Sequence, residues 1–160
     1  MEAPAPDAHY DSVLPAAIEQ ARLAFQAGEV PIGAAIERDG RIIAAAHNRR
    51  LLDGDPTAHA EMLAIRQAAA AVGDWRLTGC TLAVTLEPCC MCAGAIVLAR
   101  IPRLVYAAAD PKAGAVDTLY RLCNDSRLNH QVEVIAGLRA QECGAMLTEF
   151  FKQQRAIGKK

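Results

Sequence analysis

No stretch of the 160 residues reaches the roughly 18 consecutive apolar positions that a membrane-spanning helix needs. The first eleven residues lack the apolar segment of a secretory signal, and with Pro4, Pro6 and several acids they do not resemble a transit peptide either. They read as a short disordered lead. With no export signal, the expected location is the reducing cytoplasm, where the six cysteines act as ligands or small buried apolar groups and not as a disulfide framework. A strong positive charge is also missing. The formal net charge of −1 speaks against a protein that coats nucleic acid over a broad surface. Internal repeats and low-complexity linkers are absent, so the chain reads as one domain over residues 12–155.

What charge there is has an uneven distribution. Lys152, Arg155, Lys159 and Lys160 fall in the last nine residues, which hold no acid and leave the preceding 151 residues at −5. A basic end (156–160 as a tail) on an acidic body suits a local phosphate contact, and equally a solvated helix end; charge alone does not separate the two.

Hydrophobic periodicity places the elements. Leu14, Ile18, Ala21 and Phe25 form one helical stripe over residues 12–27, with Asp11 or Ser12 as cap and Gly28 after the last turn. Apolar runs at 32–37 and 41–47 flank Asp39-Gly40, a strong hairpin signal. A loop at 48–56 leads to a second helix at 57–72, whose expected buried stripe is Met62, Ile65, Ala69 and Val72. A strand at 81–86, a third helix from Pro88 to about residue 100, and a strand near 103–106 follow. Then come a turn region at 111–118, a short helix at 119–123, a strand at 132–135 and a last helix at 139–154. The last helix is expected to bury Cys143, Met146, Leu147 and Phe150. Helices alternating with strands after a hairpin predict an α/β fold with a mixed, mostly parallel sheet between helical layers.

Two short strings carry the chemistry. His59-Ala60-Glu61 is followed, 28 positions after the glutamate, by Cys89-Cys90-Met91-Cys92. Residues three apart share a helix face, so Cys89 and Cys92 can reach one ion, and a helix N-terminus favours the thiolate form. With His59 they make an N, S, S ligand set for one zinc. Three protein ligands leave a tetrahedral corner for water, the mark of a catalytic and not a structural site. Glu61 is left over as a carboxylate that can move protons. A thioredoxin-like Cys-x-x-Cys would leave His59 and Glu61 unemployed. A structural zinc would need a fourth ligand. Cys90 points about 100° around the helix from Cys89, and Cys80, Cys90, Cys123 and Cys143 read as packing residues. The spacing is that of zinc nucleobase deaminases.

The longer strings Asp55-Pro56-Thr57-Ala58-His59-Ala60-Glu61, Thr85-Leu86-Glu87-Pro88-Cys89-Cys90-Met91-Cys92-Ala93-Gly94-Ala95-Ile96 and Asp110-Pro111-Lys112-Ala113-Gly114-Ala115 resemble the bacterial tRNA-specific adenosine deaminases of the cytidine deaminase superfamily. So do Leu128-Asn129-His130 and the Phe150-Phe151 ending. The resemblance spans about 13–155. It implies a cytidine-deaminase-like three-layer α/β/α fold with a five-stranded mixed sheet. It also implies conversion of adenosine to inosine at the wobble position of a tRNA anticodon, with one zinc per chain on His59, Cys89 and Cys92 and Glu61 as proton shuttle. By the same resemblance Asn48 hydrogen-bonds the base, Val30, Pro31, Ile32 and Pro88 line the pocket, and Asp110 and Lys112 lie in a loop that contacts the flipped nucleotide. Phe150, Lys152 and Arg155 lean on the anticodon stem-loop, and the family's assembly is a homodimer. On spacing alone Asn48 could be a plain turn residue, and the small apolar stretch 93–98 suits a dimer seam or a core helix. A deaminase of a free base such as guanine or cytosine is the alternative enzyme. A non-catalytic zinc-dependent binder is the alternative class, against which the retention of Glu61 speaks.

Overall fold

A computed structural model describes Tyr10 and residues 12–158. Helix α1 (Val13–Gln26) leads into a hairpin of β1 (Gly33–Arg38) and β2 (Arg41–His47). The hairpin turn has positive φ at both Asp39 (53°) and Gly40 (77°), the conformation that matches strand twist and that Asp-Gly accepts at low cost. A one-turn helix α2 (Arg50–Asp53) follows, then α3 (Ala60–Val72), β3 (Cys80–Leu86), α4 (Cys90–Leu98), β4 (Arg103–Ala108), a 3₁₀ turn (Leu122–Asn124), β5 (Glu133–Ala136) and α5 (Ala140–Ala156).

The sheet order is β2-β1-β3-β4-β5. β1 runs antiparallel to both neighbours, while β3, β4 and β5 pair in parallel. Four strands therefore point one way and β1 alone opposes them, a mixed sheet as expected. Strand alternation splits the core into two layers. Ala34, Ile36, Leu82, Val84, Leu104 and Tyr106 face α3 and α4. Ala35, Ala83, Val105 and Ala107 face α1 and the Cys143 side of α5, together with Tyr10. Tyr10 is buried; the rest of the expected disordered lead, and Lys159 and Lys160 of the tail, lie outside the described residues. Among the described residues no helix is long and apolar enough to cross a membrane.

Four local expectations need correction. Ser12 occupies the cap position of α1, but its hydroxyl donates to Glu37 and not to the helix. The buried face of α3 is Ala60, Glu61, Ala64 and Ala68; the bulkier Met62, Ile65, Ala69 and Val72 sit on its flanks, because only small side chains let the helix lie close on the sheet. In α5, Cys143 and Phe150 are buried but Met146 and Leu147 only partly. The helix expected at 119–123 is a single 3₁₀ turn, since the N–H groups of Leu119 and Leu122 are drawn back to the carbonyls of Gly114 and Ala115.

The start of α3 decides the site. It begins at Ala60 and not at residue 57, because Asp55 Oδ1 accepts from both the N–H (2.8 Å) and the hydroxyl (2.7 Å) of Thr57. That Asx turn competes with the helix and holds the chain extended through His59 (φ −76°, ψ 149°). His59 is thus the residue that precedes the helix, with its ring beyond the helix end.

Candidate active site

β2 and β3 run in the same direction on either side of β1, so the two helices that follow them, α3 and α4, begin at the same end of the sheet. Open α/β sheets place ligands at such strand ends. Cys89 precedes α4 in the same extended conformation (φ −76°, ψ 179°) that His59 has before α3. Cys92 lies one turn inside α4 and is fully buried.

The three donor atoms converge. His59 Nδ1 is 3.7 Å from Cys89 Sγ and 3.5 Å from Cys92 Sγ, and all three lie within 4.8 Å of one another. Zinc bonds of about 2.3 Å to sulfur and about 2.0–2.1 Å to nitrogen, at a tetrahedral angle, put sulfur and nitrogen about 3.6 Å apart. The observed edges bracket that value, so the residues fit the ion. Protonation agrees: the hydrogen bond from the Cys92 thiol, aided by His59, pulls Cys89 down to about 3, and the same bond holds the proton on Cys92 and pushes its titration far up. The bond to Cys89 raises His59 against the opposing effect of burial. Donors crowded this closely share protons that one cation replaces.

Glu61 is the second residue of α3 and only 4% exposed. Burial pushes its carboxyl up, opposed by its own backbone N–H, by the Cys92 thiol and by His59. A carboxyl whose proton affinity is raised and that stands beside the trio is placed for general acid–base work.

His59 and Cys89 of the trio line a cavity of ≈ 140 Å³, with Cys92 buried behind them. Its walls come from Ile32 before β1, Asn48 and Arg50 after β2, the 59–61 helix start, Leu86, Glu87 and Cys89 around the β3–α4 turn, and Asp110 and Ala113 after β4.

The MafB19-like deaminase family model matches residues 9–155. The tRNA-specific adenosine deaminase of Bacillus subtilis (strain 168) is 52% identical over 139 residues, covering 87% of this chain and 86% of that protein. The chain belongs to the tRNA-specific adenosine deaminases. A solved structure from studies of A-to-I editing by tRNA:A34 deaminases is 45% identical and superposes with a TM-score of 0.80, over 87% of this chain and 99% of the other. A guanine deaminase from Nitrosomonas europaea superposes nearly as well (TM-score 0.76, 94% and 86% covered) at 26% identity.

Within this deaminase the remaining expected residues divide. Asn48 is buried on the cavity wall, and its amide is partly engaged: Nδ2 donates to the Val30 carbonyl (3.3 Å) and Oδ1 accepts from the Arg50 N–H (3.2 Å). Of the expected pocket residues Ile32 lines the cavity, while Val30, Pro31 and Pro88 stand off the wall, with Pro31 and Pro88 buried; Leu86, two residues before Pro88, lines it instead. Asp110 lines the cavity and accepts, through Oδ1, from the N–H groups of Lys112 and Ala113, while Lys112 is exposed and off the wall. Phe150 is buried, edge-on to Phe25 and Phe151 (both 5.6 Å between centroids), so its ring packs α5 against α1. The exposed aromatic there is Phe151, at 43%, next to exposed Lys152 and, further along, Arg155. Cys80, Cys123 and Cys143 are buried as packing residues, but the expectation fails for Cys90, which is exposed because it lies on the face of α4 turned away from the core.

Sequence reasoning missed Arg50, Leu86, Glu87 and Ala113 as wall residues. Glu87 carries the clearest signal, a glutamate set directly before Pro88-Cys89. It is buried, which raises its carboxyl, yet the N–H of Asp117, the Thr118 hydroxyl and the N–H groups of Asp110 and Val116 outweigh that and hold it below the usual range. Glu29 is a second buried acid; it accepts from the N–H of Leu52 at 2.7 Å and fastens α2.

Proposed function

We propose that this chain hydrolytically deaminates adenosine to inosine at the wobble position of a tRNA anticodon, with one zinc held by His59, Cys89 and Cys92. The observation that carries the reading is the convergence of those three donors at a cavity that His59, Cys89 and the buried Glu61 line. Supporting the choice of substrate is 52% identity, over nearly the whole of both chains, with a tRNA-specific adenosine deaminase.

When bound, zinc supplies Lewis-acid activation of water at neutral pH. The side chains do the rest. Glu61 accepts one proton as water adds to C6 and passes it to the ring nitrogen beside C6; it then takes the proton of the new C6 hydroxyl and gives it to the departing amine, so that ammonia leaves and C6 becomes a carbonyl. Asn48 orients the base from the wall, where its amide is already pinned between Val30 and Arg50. Asp110 and Arg50 frame the opening, and Lys152 and Arg155 offer charge to the anticodon stem.

The working form we propose is a cytoplasmic homodimer with a domain over 12–155. In α4, Ala93, Ile96 and Val97 belong to the core, while Leu98 is exposed on the outer face, which suits a seam between copies. Sedimentation of the purified chain checks this.

The deciding experiment incubates zinc-loaded protein with an anticodon hairpin carrying adenosine at the wobble position, and in parallel with free guanine and cytosine. Inosine in the hairpin, and none in a Glu61→Ala variant that still holds zinc, is the expected result. Ammonia from a free base with no change in the hairpin would reassign the enzyme to nucleobase salvage chemistry.

A further inference from the structure

Glu87 takes no part in the chemistry above, yet its carboxylate, 2% exposed, collects five donors from one loop. Oε1 accepts from the N–H of Asp110 (3.1 Å) and from the Thr118 hydroxyl. Oε2 accepts from the N–H groups of Val116 (3.1 Å), Asp117 (2.9 Å) and Thr118 (3.1 Å). The loop is pressed down on it: a Cβ added at Gly114 would come within 2.4 Å of the Glu87 carboxyl carbon. The same loop supplies Asp110 and Ala113 to the cavity wall, and Glu87 sits in the turn that delivers Cys89.

We propose that Glu87 is a positioning residue for substrate, fixing the Asp110–Ala113 wall relative to the β3–α4 turn so that the cavity is shaped before the nucleoside enters. The inference rests on the proposed nucleoside deamination. A buried anion that gathers several N–H groups from one loop removes that loop's freedom ahead of binding, which lowers the ordering cost of the complex. Such an effect belongs to ground-state binding. It moves KM and leaves kcat alone, whereas a residue needed only for the fold or for the ligand turn would lower activity and zinc content together.

Glu87→Gln separates the two halves of the clamp. With its amide oxygen in the Oε2 position, glutamine still accepts from Val116, Asp117 and Thr118. Its NH₂ group then occupies the Oε1 position, where the Thr118 hydroxyl can reverse and accept from it, but the Asp110 N–H cannot. The one donor left facing a donor is therefore the cavity-wall residue. For one bond of this kind the expected rise in KM for the anticodon hairpin is about tenfold. kcat is expected within about twofold of wild type and zinc content unchanged. Hydrogen exchange is expected to speed at the Asp110 amide while the amides of 116–118 keep their protection. Binding of the hairpin to Glu61→Ala and to Glu61→Ala/Glu87→Gln, both zinc-loaded, should differ by the same factor.

Unchanged KM and affinity in Glu87→Gln overturn the proposal, and so does a parallel loss of zinc and kcat at constant KM. Should Glu87→Gln fail to fold, Gly114→Ala decides. It keeps the carboxylate but forces the loop off it, so a raised KM supports the proposal and an unchanged one overturns it. Wild-type protein inactive on the hairpin would instead remove the underlying functional reading, which keeps the two failures distinct.

Discussion

Gly33→Ala is the substitution whose cost the structure fixes most directly. Gly33 opens β1 beneath the middle of α1, and a Cβ there would lie 2.0 Å from the Ala17 carbonyl oxygen, 2.4 Å from the Ala21 nitrogen and 2.8 Å from Gln20 Cβ. Two of the three are helix backbone, which cannot rotate away. To reach an ordinary 3.4 Å contact α1 must retreat by 1.4 Å. That retreat lifts Val13, Leu14, Ala17, Ile18, Ala21 and Ala24, the whole buried face of the helix, off the sheet. A gap of about 0.5–1 Å already forfeits a quarter to a half of the dispersion energy between facing atoms. Overpacking costs about 1–3 kcal/mol in most cores and more where backbone must move, so the expectation is a loss of about 3 kcal/mol or more from a domain stability of about 5–15 kcal/mol. Urea unfolding of zinc-loaded wild type and variant, with m-values compared, measures it. A midpoint shift worth less than about 0.5 kcal/mol at equal m would refute the reasoning, because it would mean that α1 does not rest on Gly33 as described.

Removing one ligand, as in Cys89→Ala, should abolish stoichiometric zinc and lower the melting temperature, read by metal analysis and calorimetry; a full zinc complement would break the ligand assignment. Glu61→Ala should keep zinc and fold while turnover falls by about 10²–10⁴, and a wild-type rate would remove the proton-shuttle role. Burial pushes the Cys123 thiol up to about 12 and the Cys143 thiol up to about 11. Both keep their protons in the fold where the unfolded chain loses them, so their contribution is complete below about pH 8.5 and declines as pH rises toward the folded values. Urea midpoints under reducing conditions should therefore fall between pH 8 and pH 10, less so in Cys123→Ala; equal slopes in the two proteins would contradict this. Lys152→Ala combined with Arg155→Ala should weaken hairpin binding and flatten its dependence on salt, by about 0.7–0.9 in logarithmic slope for each phosphate no longer neutralised. An unchanged slope would show both side chains to be solvated without an RNA role.

The convergence of His59, Cys89 and Cys92 was legible because their spacing is short and their chemistry restrictive: the three donors meet as the two strings required. The hairpin was legible because Asp39-Gly40 accepts positive φ at both positions. α2 escaped notice because a single turn, Arg50–Asp53, gives no periodicity, and what holds it is the distant Glu29. The buried stripe of α3 was misplaced because bulk is a poor guide where a helix must sit close; alanines face the sheet there. Glu87 stands out locally as an acid directly before Pro88-Cys89, but its role could not be read there, since its partners lie 23 to 31 residues further on. Phe150 matched a family position in sequence, but an aromatic ring goes to whichever surface its helix buries, and here that is α1.

The outer walls of the cavity and the cluster proposed to hold the ion are drawn largely from different parts of the chain. Asn48, Arg50, Asp110 and Ala113 lie on connections after strands, whereas His59, Glu61 and Cys92 sit at helix starts tied to the alanine underside of α3 and the core face of α4. A laboratory selection for a new base preference therefore has a narrow field of play. Productive changes should accumulate in the connections, where insertions and swaps are tolerated, while libraries that diversify the two helix starts should return mostly dead clones.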